Sequence, residues 1–397
     1  MTSPEPNPTP DPIANIPVET APSLGLRYSD PDAKIRPATL DEIIGQEQIK
    51  RTLRVYMRAA KGRGESLDHV LLTGPAGLGK TTIASVIAHE MGHNLRVLAG
   101  PQVGFNEMVN LASEMFADAE TIERDYSQRL VIFIDEIHGM HRDAQNVLLP
   151  MLEDFNFGNW QFQPFTLVGA TTDPSKLSNP LRDRFGIPYQ LDFYPDEDIV
   201  KIAKRTLSVL LQEPPEKIEE WCTPSSGSTD PTPEGEAINE LARRARGVPR
   251  VVNNLIKRTL DFMYIPEPEP DPSTTALRVI TTDGHTIIPG ELDHRPTYSR
   301  LTPEIVREAM TALGIDRSGL DVKARSVLVA MFERYGTRPV GIRAVAAAIG
   351  ESAANIEETV EPNLVRRGYI NREMRGRTLT AEGIVAAVRE INGQTEY

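Results

Sequence analysis

The run Gly74-Pro75-Ala76-Gly77-Leu78-Gly79-Lys80-Thr81-Thr82 has the spacing G-x-x-x-x-G-K-[ST], which is that of a phosphate cradle. Glycines let the backbone wrap an anion closely, and the helix starting behind them offers unpaired N–H groups to it. In that arrangement Lys80 reaches the β- and γ-phosphates, and the Thr81 hydroxyl holds Mg²⁺. Gly74, Gly77, Gly79, Lys80, Thr81 and Thr82 are therefore the candidate contacts to a nucleoside triphosphate. The context agrees with this chemistry. The apolar run His69–Leu72 leads in as a buried strand, and Ile83, Val86, Ile87 and Met91 recur on one face of the helix leading out.

A second constellation lies about 55 residues further on. Leu130-Val131-Ile132-Phe133-Ile134 is an apolar strand ending in Asp135 and Glu136. An acidic pair at a strand end is commonly a solvated turn. After a phosphate cradle, with room for one strand and one helix between, it has the pattern that binds Mg²⁺ through Asp135 and polarises water through Glu136. His138 reads as structural or coupling. Phe165-Thr166-Leu167-Val168-Gly169-Ala170-Thr171-Thr172 is a further strand ending in hydroxyls, and Thr171 could touch the γ-phosphate. Threonine is equally a good strand former. Arg182 and Arg184 flank Asp183, either as surface ion pairs or as a charge that stabilises phosphoryl transfer. Arg250 opens a helical run after a turn and could close on the nucleotide or cap local carboxylates.

These residues need a scaffold, and the chain has one. Strand-like runs at 69–72, 95–98, 130–134, 166–170 and 189–193 alternate with helical patterns, which predicts a parallel sheet covered by helices. Residues 1–33 hold eight prolines and few large apolar residues, and read as a disordered tail. Residues 196–262 read as helical, broken by a Pro/Ser/Thr/Gly-rich mobile loop at Pro214–Glu236. A second irregular stretch runs from Pro266 to about Tyr298, with a short strand at Thr286–Ile288. The last 80 or so residues show three helices and then a hairpin around Met374-Arg375-Gly376, as in a winged-helix domain.

Composition bounds the partners. The 397 residues allow two or three domains, and 40% hydrophobic with 25% charged residues is ordinary for a soluble globular protein. No apolar run approaches a membrane span, and no signal-peptide pattern is evident. A single cysteine, Cys222, excludes an intramolecular disulfide and a thiolate zinc cluster, and favours a reducing cytoplasm. The net charge of −13 argues against nucleic acid, but unevenly: residues 316–397 carry 12 Lys+Arg against 11 Asp+Glu. Within them, Arg366, Arg367, Arg372, Arg375 and Arg377 face only Glu373.

The motifs together resemble AAA+ ATPases and, more narrowly, the RuvB family of Holliday-junction branch-migration motors. The resemblance rests on Ile35-Arg36-Pro37, on Leu40-Asp41-Glu42-Ile43-Ile44-Gly45-Gln46, and on His69-Val70-Leu71-Leu72 running into the phosphate loop. It continues through FIDEIH, Met151-Leu152-Glu153-Asp154-Phe155, PFTLVGATT, LSNPLRDRFGIP, RARGVPR, RPVGIRAVAAAIGE and IEETVEPNLVRRGYI followed by RGR. It covers roughly residues 34–212, 237–262 and 301–385. The fold it implies is an α/β P-loop domain over 34–195, an all-α lid over 196–300 with insertions at about 213–236 and 264–298, and a winged-helix DNA-binding domain over 301–397. The resemblance assigns roles by position. Ile35, Arg36 and Tyr194 would contact the adenine end, Glu153, Asp154 and Phe155 would join the nucleotide contacts, and Thr171 would sense the γ-phosphate. Arg184 would be the finger that enters a neighbour's site, Arg250 would sense nucleotide from the lid, and Arg372 and Arg377 would touch DNA phosphates. The implied activity is ATP hydrolysis with Mg²⁺, coupled to movement of duplex or four-way-junction DNA in recombination and repair. The implied assembly is a hexameric ring working with a RuvA-type junction-binding partner.

Three departures stand out. The family carries a long β-hairpin between Phe155 and Pro164 that docks on RuvA; here Asn156–Gln163 leave half of it or less, with Asn159-Trp160-Gln161-Phe162 as an aromatic tip. The two insertions and the proline-rich N-terminus are also unlike the family, and the second insertion sits where it would alter placement of the DNA-binding domain. A shortened hairpin keeps open a clamp-loading or fork-remodelling AAA+ machine, and a third reading is a DNA-binding scaffold switched by ATP.

Overall fold

In the computed structural model, described residues are 33–121, 129–224, 230–265, 279–280, 286–287 and 297–397. The tail expected over 1–33 falls outside them except for its last residue. The chain forms two compact units. The first comprises residues up to 43, 47–74 and 80–191; the second comprises 44–46, 75–79 and 192–397.

The first unit is built on a five-stranded parallel sheet of β1 (Val70–Thr73), β2 (Asn94–Ala99), β3 (Leu130–Asp135), β6 (Thr166–Thr171) and β7 (Ile187–Gln190), in the order β2-β3-β6-β1-β7. Its central strands are nearly continuous Val, Ile, Leu and Phe, as strands covered on both faces must be. α1 (Glu47–Arg63), α2 (Lys80–Met91), α3 (Phe105–Thr121) and α4 (Arg142–Glu153) supply the cover. Ile83, Val86, Ile87 and Met91 of α2 are all buried, as their spacing predicts. On the α3 and α4 side, Met108, Ala112, Val147, Leu148 and Met151 pack with Ile132, Ile134 and Leu167 of the sheet. The last expected strand is displaced: β7 ends at Gln190, so Leu191–Phe193 leave the sheet.

Between α4 and β6 the chain makes a hairpin of two-residue strands, β4 (Asn156–Phe157) and β5 (Trp160–Gln161). The aromatic tip expected here does not project. Phe162 is buried, and Phe157 and Trp160 pack partly buried against the α3–α4 core, because a hairpin this short keeps its aromatics within reach of that core.

The second unit begins with four helices, α6 (Asp196–Leu211), α7 (Pro215–Cys222), α8 (Pro233–Arg244) and α9 (Pro249–Met263). The expected loop at Pro214–Glu236 is corrected here. It contains α7, started by Pro214-Pro215 and anchored by buried Ile218, and the first turn of α8, capped by Thr232. Residues 225–229 lie outside the described residues.

Most of the second irregular stretch is also outside them, but its ends are informative. β8 (Tyr264–Ile265) pairs antiparallel with β11 (Thr297–Tyr298), and within the stretch β9 (Val279–Ile280) pairs with β10 (Thr286–Ile287) where a short strand is expected. The β8–β11 stem closes the insertion on itself. The next helix, α10 (Pro303–Ala312), returns to pack on α8 and α9. The insertion therefore does not lengthen the tether between α9 and α10.

The C-terminal part has its own core, from Leu320 to Ala387. α11 (Val322–Tyr335) and α12 (Ile342–Ile349) precede a broken helix made of α13 (Ala353–Asn355), a π-turn at Ile356–Val360, and α14 (Glu361–Arg366). Pro362, in the first turn of α14, cannot donate the bond a continuous α-helix needs there. The hairpin β12 (Ile370–Glu373) and β13 (Gly376–Leu379) comes next, and α15 (Ala381–Ile391) closes the domain. Val340 bridges to Arg377 as a third strand. Gly376 makes that approach possible: its φ is +135°, and a Cβ there would sit 2.5 Å from the Val340 carbonyl oxygen. Three helices and a wing are what the sequence pattern predicts. No helix among the described residues is long and apolar enough to cross a membrane.

Candidate functional site

In a parallel sheet every strand points the same way, so the loops at its two ends separate two sets of residues. At the carboxyl end lie the turn after β1, the acidic pair after β3 and the threonines ending β6. The Gly74 N–H bonds the Thr171 carbonyl at 3.2 Å, which ties the phosphate loop to the end of β6. Gly74 and Gly79 hold φ of +135° and +101°, and Lys80 starts α2 with its Nζ on the Gly74 carbonyl at 2.7 Å. The ammonium is thus folded back over the loop, where phosphate oxygens compete for it.

The rest of the loop belongs to the second unit. There the Arg250 N–H donates to the Gly77 carbonyl at 3.2 Å, and the Tyr194 hydroxyl donates to the Leu78 carbonyl at 3.3 Å. Burial pushes the Tyr194 phenol up to about 12, so it stays a donor at any working pH. Ile35, buried, and Arg36, half-buried, lie in the first unit.

Asp135 ends β3, and its Oδ1 accepts the Glu136 N–H at 3.1 Å. Glu136 itself is left-handed, with φ 47° and ψ 50°. That conformation costs a side-chain-bearing residue about 1–2 kcal/mol, and such strain gathers at functional sites. Its carboxylate is held in place: Oε2 accepts both the N–H and the hydroxyl of Thr172 at 3.0 Å and lies 3.3 Å from His138 Nδ1. The Thr171 hydroxyl is instead occupied by His138 Nδ1 at 2.8 Å and by the Asp173 N–H at 3.0 Å, in a fully buried residue. The Thr171 hydroxyl, expected to sense the γ-phosphate, thus has two partners within its own chain. Alternation along β6 sends neighbouring side chains to opposite faces, and Thr172 is the hydroxyl that meets the Glu136 carboxylate. Two hydroxyls in a row were visible in the sequence, but their facing was not.

At the amino end of the sheet the structure gathers Glu153, Asp154, Phe155 and Arg184. α4 starts beyond β3 and runs back about 18 Å, ending at Glu153. Phe155 packs on Phe165 and His69, at ring-centroid distances of 5.7 and 6.4 Å, beside the first residues of β6 and β1. His69 locks this corner: its Nδ1 accepts the Leu167 N–H at 3.1 Å, so its Nε2 donates to the Leu152 carbonyl at 3.3 Å, and burial lowers its pKa. Arg184 lies just before β7 begins and donates to Glu153 Oε2 at 2.7 Å, while its buried Nε has no hydrogen-bond partner. Strands of four to six residues separate these groups from Lys80 and Asp135 by on the order of 10–20 Å. Glu153, Asp154 and Phe155, expected among the nucleotide contacts, thus lie with Arg184 at the amino end of the sheet, away from Lys80 of their own chain.

The donor set fits a Mg-nucleoside triphosphate. The loop backbone and α2 N-terminus suit phosphates, and Thr81 and Asp135 offer the one hydroxyl and one carboxylate that Mg²⁺ takes beside phosphate oxygens. The described residues hold no cluster of three or more metal-ligating side chains that would suit a different ion.

The arginines of the C-terminal hairpin are mostly committed. Arg377 makes a two-pronged pair with Glu361, at 2.9 Å on each prong, with side-chain exposures of 12% and 3%. That carboxylate raises its pKa further. Arg377, expected to touch DNA phosphates, is thus held in a buried bidentate pair that is expensive to break. Arg372 is 61% exposed and pairs with Glu357 at 3.0 Å, which leaves it free to exchange for a phosphate.

Comparison with known proteins covers most of the chain. Residues 35–191 match the model of the Holliday junction DNA helicase RuvB P-loop domain, 215–276 the RuvB AAA lid domain, and 317–386 the RuvB C-terminal winged helix domain. Among solved structures, the RuvB Holliday junction branch migration motor of Thermotoga maritima is 36% identical with a TM-score of 0.67, covering 90% of this chain and 98% of that one. The chain belongs to the RuvB family. Two point mutants of the same Thermotoga RuvB match at 35% identity with the same coverage and TM-scores of 0.68 and 0.67. The RuvB lid model begins at α7, the helix inside the expected loop, and the RuvB winged-helix model begins after α10.

Proposed function

We propose that this chain is an ATP-hydrolysing motor that drives duplex DNA through Holliday junctions. The observation that carries the reading is the pairing of a complete hydrolytic centre with an arginine that its own subunit cannot use. Lys80, Thr81, Asp135 and Glu136 supply phosphate grip, Mg²⁺ ligands and general base. Arg184 stands at the other end of the sheet with an unpartnered Nε. A finger so placed works on a neighbour's γ-phosphate, so the active form is an oligomer, and a hexameric ring around duplex DNA is the assembly that suits translocation. Tyr194 and Arg250 report the nucleotide to the lid, with Ile35 and Arg36 at the adenine end. Thr172, backed by His138, aims Glu136.

We assign residues 34–195 to the ATPase domain, 196 to about 312 to the lid, since α10 packs on α8 and α9, and the remainder to the winged helix. All three segments match models of one family, which disfavours a clamp loader or fork remodeller. The compact hairpin at 156–161 offers little projecting surface for a RuvA-type partner, so junction loading depends less on that contact. The test is ATP turnover and strand exchange on a labelled four-way junction, with and without a RuvA-type protein. Junction-stimulated turnover with strand exchange is expected; neither, in both conditions, overturns the reading.

A further inference from the structure

The turn joining α8 to α9 is bent by two left-handed residues in a row, Arg246 at φ +56° and Gly247 at φ +71°. Only glycine suits the second position. A Cβ on Gly247 would lie 2.6 Å from the Tyr194 carbonyl oxygen and 2.7 Å from Arg366 Nη1, so two other parts of the chain press on this turn. Its far side meets the phosphate loop. The Arg250 N–H bonds the Gly77 carbonyl, and a Cβ on Gly77 would come within 2.9 Å of Val248 and 3.1 Å of Arg250. Phe193-Tyr194 runs alongside: the Tyr194 N–H donates to the Gly247 carbonyl at 3.0 Å, and its hydroxyl donates to the Leu78 carbonyl. Residues 193–194 and 247–250 together form a clamp on the phosphate loop.

Arg366 is where the winged helix takes hold of that clamp. It is the last residue of α14, and its guanidinium lies over the Phe193 ring, 4.2 Å from the ring centre, with Nη1 against Gly247. Among the described residues no carboxylate forms an ion pair with it, in contrast to Arg372 and Arg377. A flat stack suits a moving joint, because a guanidinium keeps its attraction to a ring while sliding over it, whereas a forked ion pair has one register. Other contacts between the winged-helix side and the lid fall on the end of α8 and on Arg246. Arg367 donates to the Arg243 carbonyl at 3.4 Å, Arg244 donates to the Ile315 carbonyl at 3.3 Å, and Arg246 stands 3.9 Å from Asp321. These hold the domain on the lid when Arg366 is truncated.

We propose that Arg366 couples the nucleotide site to the winged-helix domain. A shift of residues 193–194 and 247–250 as the phosphate loop fills or empties passes through the Phe193 stack into α14, and DNA held by the winged helix acts back by the same route. Arg366 is a positioning residue, remote from the reacting atoms. This inference rests on the reading of the chain as an ATP-driven duplex-DNA motor.

The test uses the full-length chain with ATP and Mg²⁺. It measures turnover with and without four-way-junction DNA, duplex affinity over a salt series, and strand exchange per ATP hydrolysed. Arg366→Ala keeps turnover without DNA within about twofold of wild type, and keeps the affinity and salt slope for duplex. Junction stimulation of turnover and strand exchange per ATP each fall about fivefold or more. Phe193→Leu, which keeps an apolar side chain but removes the ring, gives the same loss. The double variant is no worse than either single one, as two halves of one contact require. If both single variants are coupled as tightly as wild type, the inference is wrong while the motor reading stands. A salt slope shallower by about 0.9 in Arg366→Ala makes that arginine a phosphate contact and also overturns it. Additive losses in the double variant separate the two side chains and overturn the route between them. A wild type without junction-stimulated turnover or strand exchange overturns the motor reading, and the coupling with it.

Discussion

The two ends of the parallel sheet hold their charged residues in different ways. At the carboxyl end, Lys80, Asp135, Glu136, Thr171 and Thr172 are woven into a local network of hydrogen bonds that fixes each head group. At the amino end, Arg184 hangs from a single partially exposed ion pair with Glu153. The difference teaches how the chain divides labour. Groups that must hold geometry through every cycle are locked by their own subunit. In the role proposed for it, Arg184 would have to arrive and leave, and it is held weakly, with one donor unsatisfied.

Removing the lock at the carboxyl end has the largest expected effect. Lys80→Ala lowers ATP turnover by at least about 10³-fold, and equilibrium binding of a fluorescent nucleotide separates lost affinity from lost chemistry. Arg184→Ala comes next: nucleotide binding stays near wild type, while turnover drops about 10³-fold. Normal turnover in that variant would place the finger elsewhere and dissolve the contrast between the two ends. Thr172→Val releases Glu136 and lowers kcat about 10–100-fold with little change in KM, whereas Thr171→Val, which removes the buried ties to His138 and the Asp173 N–H, costs less. Equal losses in the two variants would return the sensor role to Thr171.

The smallest effect concerns the His69 corner. Its folded pKa lies below the ordinary 6.5, so the unfolded chain binds the proton more readily. The stability it contributes is complete above about pH 6.5 and falls as the pH drops toward the folded value. The melting temperature of wild type should therefore decline more between pH 7.5 and 5.5 than that of His69→Gln.

Much of the carboxyl end was legible in the sequence, because it is written in contiguous motifs. The spacing of Gly74 to Thr82 and the apolar strand before Asp135 each encode a local geometry, and β1, β2, β3 and β6 fall within a residue or so of their expected runs. The choice between Thr171 and Thr172 was not legible, because strand facing is settled by what packs on either side. The place of Glu153 was also hidden: a motif adjacent to a helix end reads the same at either edge of a sheet. The pairing of Arg377 was hidden for a similar reason. Its positive charge is plain in the sequence, but its neutralisation by Glu361, 16 positions away, appears only once the broken helix and hairpin pack. The aromatics at Trp160 and Phe162 looked like a projecting tip, and the brevity of the strands turned them inward.

The central claim is that one subunit's Lys80 works with another subunit's Arg184. Mixing two dead proteins tests it directly. Lys80→Ala retains Arg184, and Arg184→Ala retains Lys80, so a mixed ring contains some sites with both. The account predicts that ATP turnover, negligible in either variant alone, rises on mixing and peaks near equal proportions. Turnover that stays at the level of the separate variants at every ratio, in rings shown to exchange subunits, would contradict it.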